Sequence, residues 1–230
     1  MFKFGLVLTV RDDLTRPLQK NLVELASNRC LLLEMAMGHS QISLQKQQAR
    51  KQAKQVREYL HANQQKTAAQ QLLRFAPELI NVFRSSIVGG FHPIFTEIDI
   101  IPLMRALAEK QCQLCLPVTP IKPGELSFRS YVPGQELEIG PLNTQHPDAG
   151  SLQLSPELLV LPLLAFDARC NRLGYGRGYY DRTIKKFRKS RHHVKVVGVA
   201  FSGQQVDWVP VTSTDEPMDG VLTPAGLMLR

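Results

Sequence analysis

Nine consecutive residues, Leu158 to Phe166, are apolar on both parities, broken only by Pro162. A strand with one wet face alternates polar and apolar residues, whereas one that is apolar on both faces has to be covered on both, as a central strand of a parallel sheet is. Lys195 to Phe201 (KVVGVAF) reads as a second buried strand. The chain therefore needs helical layers on both sides of a sheet.

Those layers are legible upstream. From Ser43, a plausible N-cap, Leu44 leads into Ala49, Ala53, Val56 and Leu60 at helical spacing. Thr67 to Phe75 predicts a second helix before Pro77, and a third short one runs to about Phe83. Ser86 to Phe91 is expected to be a short buried strand ended by Pro93. Asp99 is placed to cap a helix with Pro102 in its first turn and Leu103, Met104, Leu107 and Ala108 facing inward. Leu114 to Val118 follows as a strand, then an exposed antiparallel strand over Leu126 to Tyr131, then a Gly- and Pro-rich loop at 133–150. Strands alternating with helices in this way imply an α/β fold, a single three-layer α/β/α domain with a mostly parallel sheet. Residues 1–42 show no clear period. They are expected to be an N-terminal extension, disordered or not native, with Met37 opening a stretch that reads like a natural chain start, and with the catalytic domain at 43–230.

The composition, 43% hydrophobic and 21% charged over 230 residues, is that of a globular protein. No apolar run approaches the roughly 18 to 20 residues that span a bilayer, and the N-terminus lacks a small-residue cleavage site, so no membrane partner and no signal peptide are expected. Four scattered cysteines do not make a disulfide framework, which points to a reduced, cytoplasmic protein. Cys112 and Cys115 form a lone CxxC on a predicted strand, where i and i+3 face opposite sides, so a metal or redox pair is not expected there.

The net charge of +8 is concentrated. Lys46 to Arg74 carries +6 and Arg182 to Lys195 carries +7, leaving −5 for the rest. Two local basic patches suit a localised polyanion, a nucleotide or a nucleic acid. On the first helix Lys46, Arg50, Lys54 and Arg57 repeat at four, four and three. Like charges at that spacing repel by ~0.2 to 0.5 kcal/mol per pair, a strain that a bound anion relieves.

The central strand leads into a tight turn at Asp167 to Asn171, a loop with Gly174, Gly176 and Gly178, and a basic amphipathic helix. Glycines at alternate positions let main-chain N–H groups approach an anion, and the helix start adds its dipole. The spacing is neither the dinucleotide-binding nor the P-loop fingerprint. Arg172 and Arg177 flank the loop. Asp181 falls at the helix start, where it could cap N–H groups or hold a cation, and Asp215, Glu216 and Asp219 form an acidic cluster near the C-terminus.

LAFD, NRLGYGRGYYDR, the Glu97-Ile98-Asp99 after a short strand, Lys46 and Arg50 as KxxxR, and the late Asp215 with Asp219-Gly-Val together resemble the 5-formyltetrahydrofolate cyclo-ligase family, also called 5,10-methenyltetrahydrofolate synthetases. The resemblance spans about residues 43–225. It implies a fold related to the ribose-5-phosphate isomerase and CoA-transferase group, and Mg·ATP-driven conversion of 5-formyltetrahydrofolate to 5,10-methenyltetrahydrofolate. It further implies ATP contacts from Lys46, Arg50 and the stretch Arg172, Leu173, Gly174, Tyr175, Gly176, Arg177, Gly178, Tyr179 and Tyr180. Folate would lie at His92 and Glu97, with Gly176 to Tyr180 contacting both ligands. Mg2+ would be held by Asp181 and Asp215, and Lys46, Arg50 and Arg177 would neutralise charge during the reaction. The family's usual glycine in the turn is replaced by Cys170, which leaves Asn171 as the residue able to turn left-handed.

Two other classes compete. A basic RNA-binding protein would interleave its cations with exposed aromatics, of which only Tyr179, Tyr180 and Phe187 qualify, so nucleic acid is not the expected partner. An isomerase or CoA-transferase on the same fold would need a glutamate at a strand end, for which Glu97 is the candidate. The small molecules are the expected partners of a monomer.

Overall fold

A computed structural model of the chain describes residues 16–190 and 192–230, which fall in two units, Met1–Leu44 and Gln45–Arg230. Helix α1 (Arg16–Leu73) enters the second unit at Gln45, and α2 (Ala76–Phe83), α3 (Ile101–Glu109) and α4 (Tyr179–Lys189) follow. Of the extension read at 1–42, residues 1–15 lie outside the described residues, as does Arg191 of the second basic patch.

Seven strands build the main sheet: β1 (Ile87–Gly89), β2 (Gln113–Val118), β3 (Ser127–Tyr131), β4 (Leu158–Pro162), β5 (Lys195–Val199), β6 (Gly220–Thr223) and β7 (Gly226–Leu229). Their order is β7-β6-β5-β4-β1-β2-β3. The five inner strands are parallel and the two edges antiparallel. β4 sits at the centre as its double-sided apolar run requires. Leu158 and Val160 pack with Leu72, Leu79, Leu103 and Leu107 on the face covered by α1, α2 and α3, while Leu159 and Leu161 pack with Ile184 of α4 on the other. The three layers follow from that alternation. Cys112 belongs to the first core and Cys115 to the second, so the CxxC is split across the sheet.

Several boundaries differ from expectation. Ser43 lies inside α1 and caps nothing, because the helix is already formed at Arg16, and the stretch from Thr67 continues the same helix to Leu73. The buried stripe of α1 is also rotated: Val56 is 44% exposed and Arg57 only 2%. Lys46, Arg50, Ala53, Arg57 and Leu60, at steps of four, three, four and three, make the inward seam. The 133–150 segment is not all loop, since Glu138–Ile139 pairs with Gln145–His146 as a small hairpin. Asp99 does serve the α3 start, its Oδ1 accepting the Ile101 N–H at 2.8 Å.

Chain order places a site. From β1 the chain runs outward to β2 and β3, and it then returns to the other side of β1 to lay down β4, β5 and β6. The loops leaving the carboxyl ends of β1 and β4 therefore diverge, and the crevice between them is where open parallel sheets take ligands. His92 to Glu97 follow β1, and the turn and glycine loop follow β4.

Candidate active site

Beyond β4 the chain forms a short hairpin, Ala165–Phe166 against Arg172–Leu173, that delivers the glycine loop. Asp167, only 1% exposed, ties the hairpin turn. Its Oδ1 accepts the N–H groups of Arg169 and Asn171, each at 3.0 Å, and its Oδ2 accepts Asn171 Nδ2 at 3.0 Å and the Val209 N–H at 3.2 Å. A buried carboxylate is tolerated because donors surround it. The left-handed residue of the turn is Cys170 itself, at φ 58°, and not Asn171. Its side chain is fully buried in the α4-side core, and that burial holds a β-carbon where glycine is easier.

In the loop, Gly176 and Gly178 take φ of 95° and 67°, whereas Gly174 does not need a positive φ. A Cβ on Gly176 would meet the Arg50 guanidinium at 3.0 to 3.3 Å, and one on Gly178 would meet Arg182 Nη1 at 2.9 Å. Arg50 Nε donates to the Gly174 carbonyl at 2.9 Å. The cation stripe of α1 thus closes over the loop.

Two adjacent cavities open on this loop. The smaller, about 450 Å³, is walled by Lys46, Arg50, Arg172, Leu173, Gly174, Gly176, Gly178, Asp181, Arg182 and Asp215, and its cations outnumber its carboxylates. The larger, about 500 Å³, mixes apolar groups such as Phe91, Ile94, Phe95 and Leu126 with His92, Glu97, Tyr175, Arg177, Tyr179 and Tyr180. Arg172, Gly174, Gly178 and Asp181 line both. Every residue expected at the site faces one cavity or the other. The division is finer than anticipated, however: Gly176 lines only the smaller cavity, and Arg177, Tyr175, Tyr179 and Tyr180 only the larger.

The charged groups are paired. Lys46 Nζ donates to Asp215 Oδ2, which also accepts the N–H and hydroxyl of Thr212. Burial acts to raise the Asp215 carboxyl, but these three donors outweigh it and leave the group below its ordinary range. Arg172 Nη2 donates to Asp181 Oδ1, which also takes the Glu216 N–H at 3.1 Å. Asp181 lies in the first turn of α4, yet it caps no N–H of its own helix. The acidic cluster is not merely solvated: Arg188 pairs with Glu216 at 2.6 Å and with Asp219 at 3.6 Å, and Lys195 pairs with Asp219 at 3.2 Å.

In the larger cavity Glu97 is 4% exposed, and burial pushes its carboxyl up to about 7 against the N–H of Ile94, the charge of Arg57 and the hydroxyl of Tyr175. His92 is held below the ordinary histidine range by burial, and its Nδ1 has no hydrogen-bond partner among the described residues. Sequence reasoning gave Arg182 no role at the site, took Asp167 only as part of the turn, and set Arg57 in the cation stripe beside the buried face when it lies within that face. The signal for Arg57 was its seven-residue step from Arg50, which the apolar Val56 beside it obscured.

Comparison with known proteins places these features. A model of the 5-formyltetrahydrofolate cyclo-ligase family matches residues 42–224. The chain is 32% identical over 163 residues to the 5-formyltetrahydrofolate cyclo-ligase of Escherichia coli strain K12, covering 69% of this chain and 86% of that protein. It is 29% identical over 182 residues to that of Haemophilus influenzae, covering 77% and 96%. The solution structure of Aquifex aeolicus 5,10-methenyltetrahydrofolate synthetase superposes with a TM-score of 0.66 at 26% identity, over 80% of this chain and 92% of that one. A Mycoplasma pneumoniae 5,10-methenyltetrahydrofolate synthetase shares the fold, with a TM-score of 0.61 at 20% identity, over 78% and 98%.

Proposed function

The chain belongs to the 5-formyltetrahydrofolate cyclo-ligase family, and on that premise we propose that it converts 5-formyltetrahydrofolate and ATP to 5,10-methenyltetrahydrofolate, ADP and phosphate. The observation that carries the reading is the wall of Gly174, Gly178, Arg172 and Asp181 common to a cationic cavity and a partly apolar one. A triphosphate suits the first and a pterin the second, and the two meet where phosphoryl transfer is needed.

The formyl oxygen on N5 is a poor leaving group. Transfer of the γ-phosphoryl group to that oxygen makes the carbon electrophilic; N10 then attacks, the ring closes and phosphate departs. Lys46, Arg50 and Arg182 neutralise the phosphates in the smaller cavity, and the loop's main chain approaches them where side chains would obstruct. Arg177, which lines the larger cavity, meets the transferred group from the folate side. No side-chain nucleophile is required.

Asp181 and Asp215 would hold Mg2+, and their chemistry fits. Both are hard oxygen donors on the wall of the smaller cavity, each engages its protein partners through one oxygen, and no three metal-binding side chains cluster among the described residues. The remaining positions would fall to water and phosphate oxygens, as is usual for this ion. Bound there, the ion supplies neutralisation of phosphate charge.

The test is direct. Protein mixed with 5-formyltetrahydrofolate and Mg·ATP is followed by the near-ultraviolet absorbance of the methenyl product. Growth of that band with stoichiometric ADP is the expected result. Well-folded protein that produces neither overturns the reading.

A further inference from the structure

Among the described residues Arg57 is the most deeply buried cation, with partners from several elements, and the chemistry above does not use it. Its Nε donates to Thr96 Oγ1 at 3.2 Å, Nη1 to the Leu163 carbonyl at 3.4 Å, and Nη2 to the Tyr175 hydroxyl. Nη1 also lies 4.0 Å from Glu97 Oε1, and the guanidinium carbon sits 5.2 Å from the Tyr175 ring centroid. One side chain therefore touches the segment after β1, the end of β4 and the glycine loop, which together make the crevice. Burying such a charge costs several kcal/mol unless its partners are well placed, and an apolar residue would fill a structural position more cheaply.

We propose that Arg57 is a positioning residue for ring closure: it fixes Tyr175 and Glu97 as one unit, so that Glu97 stands ionised at the folate to take the N10 proton while the loop stays in place. The proposal rests on the cyclo-ligase reading. In the step concerned the N10–C bond forms and the N10–H bond breaks. The bonding pair stays on nitrogen, the proton goes to the Glu97 carboxylate, and the C–O bond to phosphate then breaks with its electron pair on oxygen. Glu97 returns the proton to water between turnovers.

The surroundings of Glu97 define what to expect. The Ile94 N–H, Arg57 of α1 and Tyr175 of the loop act on its carboxyl, and Lys54, His92, Arg172, Arg177, Tyr180 and Asp181 line the same cavity. Burial favours the protonated form, and Arg57 and Tyr175 oppose it. Removing either should make the carboxylate harder to form.

The experiment measures kcat/KM against pH from 5.5 to 9 for the wild type, Arg57→Gln, Tyr175→Phe and Glu97→Gln, with thermal midpoints alongside. The wild type should lose activity below an inflection near pH 7. In Arg57→Gln the inflection should move up by about one unit or more, and in Tyr175→Phe it should move in the same direction by less. Glu97→Gln should lose about 100-fold or more, the usual worth of a positioned base, and show no such inflection. Arg57→Lys, which keeps the charge without the fork, should hold the inflection near its wild-type place at reduced kcat. A purely structural Arg57 would lower the midpoint and leave the inflection fixed, and that result overturns the proposal. If Arg57→Gln does not fold, an unmoved inflection in Tyr175→Phe overturns it alone. Should the wild type itself make no methenyl product, the cyclo-ligase reading fails first, and the profiles distinguish the two failures.

Discussion

Arg50 on the first helix donates from Nε to the carbonyl oxygen of Gly174 at 2.9 Å, across 124 residues of sequence. The same guanidinium lies over Gly176, where a β-carbon would stand only 3.0 Å from its central carbon. Helix and loop are fitted to each other, and the predictions below test what that fit does.

Replacing Arg50 by alanine removes a charge-assisted donor and a phosphate-facing cation together. Such interactions are worth about 1.5 to 3 kcal/mol. The KM for ATP should therefore rise about 10- to 100-fold, while the thermal midpoint moves by only a few degrees. Initial rates at varied ATP, with a melting curve on the same sample, check both.

Gly176→Ala forces an L residue to φ 95° and against Arg50. The backbone strain alone costs about 1 to 2 kcal/mol. Denaturant unfolding should register that loss, and ATP binding measured by calorimetry should weaken in addition. Gly174→Ala has open space and no positive φ, so it should be milder on both measures.

Asp167 supports the site without touching either cavity. Asp167→Ala removes the acceptor of four donors, three of them in half-buried bonds from Arg169 and Asn171 and one, the Val209 N–H, fully buried. A loss of about 1.5 to 3 kcal/mol is expected, the range for hydrogen bonds made to a charged group. Urea unfolding of the variant reads it, and substrate binding should fail only in proportion to the unfolded fraction.

Glu97 should leave a mark on stability as well as on rate. Its folded ionisation, near 7, is above the ordinary 4.5, so between those values the unfolded chain has released a proton that the folded one retains. Stability contributed by this group is full below about pH 4.5, falls as pH rises to 7, and is flat beyond; the shift is worth about 3 kcal/mol. Asp215 acts with the opposite sign. Its depressed carboxyl stabilises the fold at neutral pH and gives that up as the medium is acidified below its ordinary range. Subtracting the Glu97→Gln unfolding free energies from those of the wild type at pH 5 and pH 7.5 isolates the first effect.

Much of the architecture was legible because burial on two faces leaves a plain pattern. Leu158 to Phe166 marked the centre of the sheet, although the central strand ends at Pro162 and Ala165–Phe166 pairs instead in the separate hairpin, and the alternating glycines lie in the loop as expected. Helix α1 was harder. Its inward face is cationic where the site is built, so hydrophobic periodicity pointed to Val56 and missed Arg57 one step away. The left-handed Cys170 was hidden for a related reason, since tertiary packing there overrides the local preference that favours Asn171. The two carboxylates at the cationic cavity could be named from the sequence; that each is met by its own cation, Lys46 for Asp215 and Arg172 for Asp181, could not, because those pairings join segments far apart in the chain.

The boundary between the two cavities is bare main chain at Gly174 and Gly178, beside the paired Arg172 and Asp181. Reactants of very different character can enter through separate doors and meet at a wall where two of the four shared residues have no side chain. A bulky residue at 174, where a β-carbon alone meets open space, should thicken that wall while leaving both rooms in place, so that the protein keeps each ligand and loses rate.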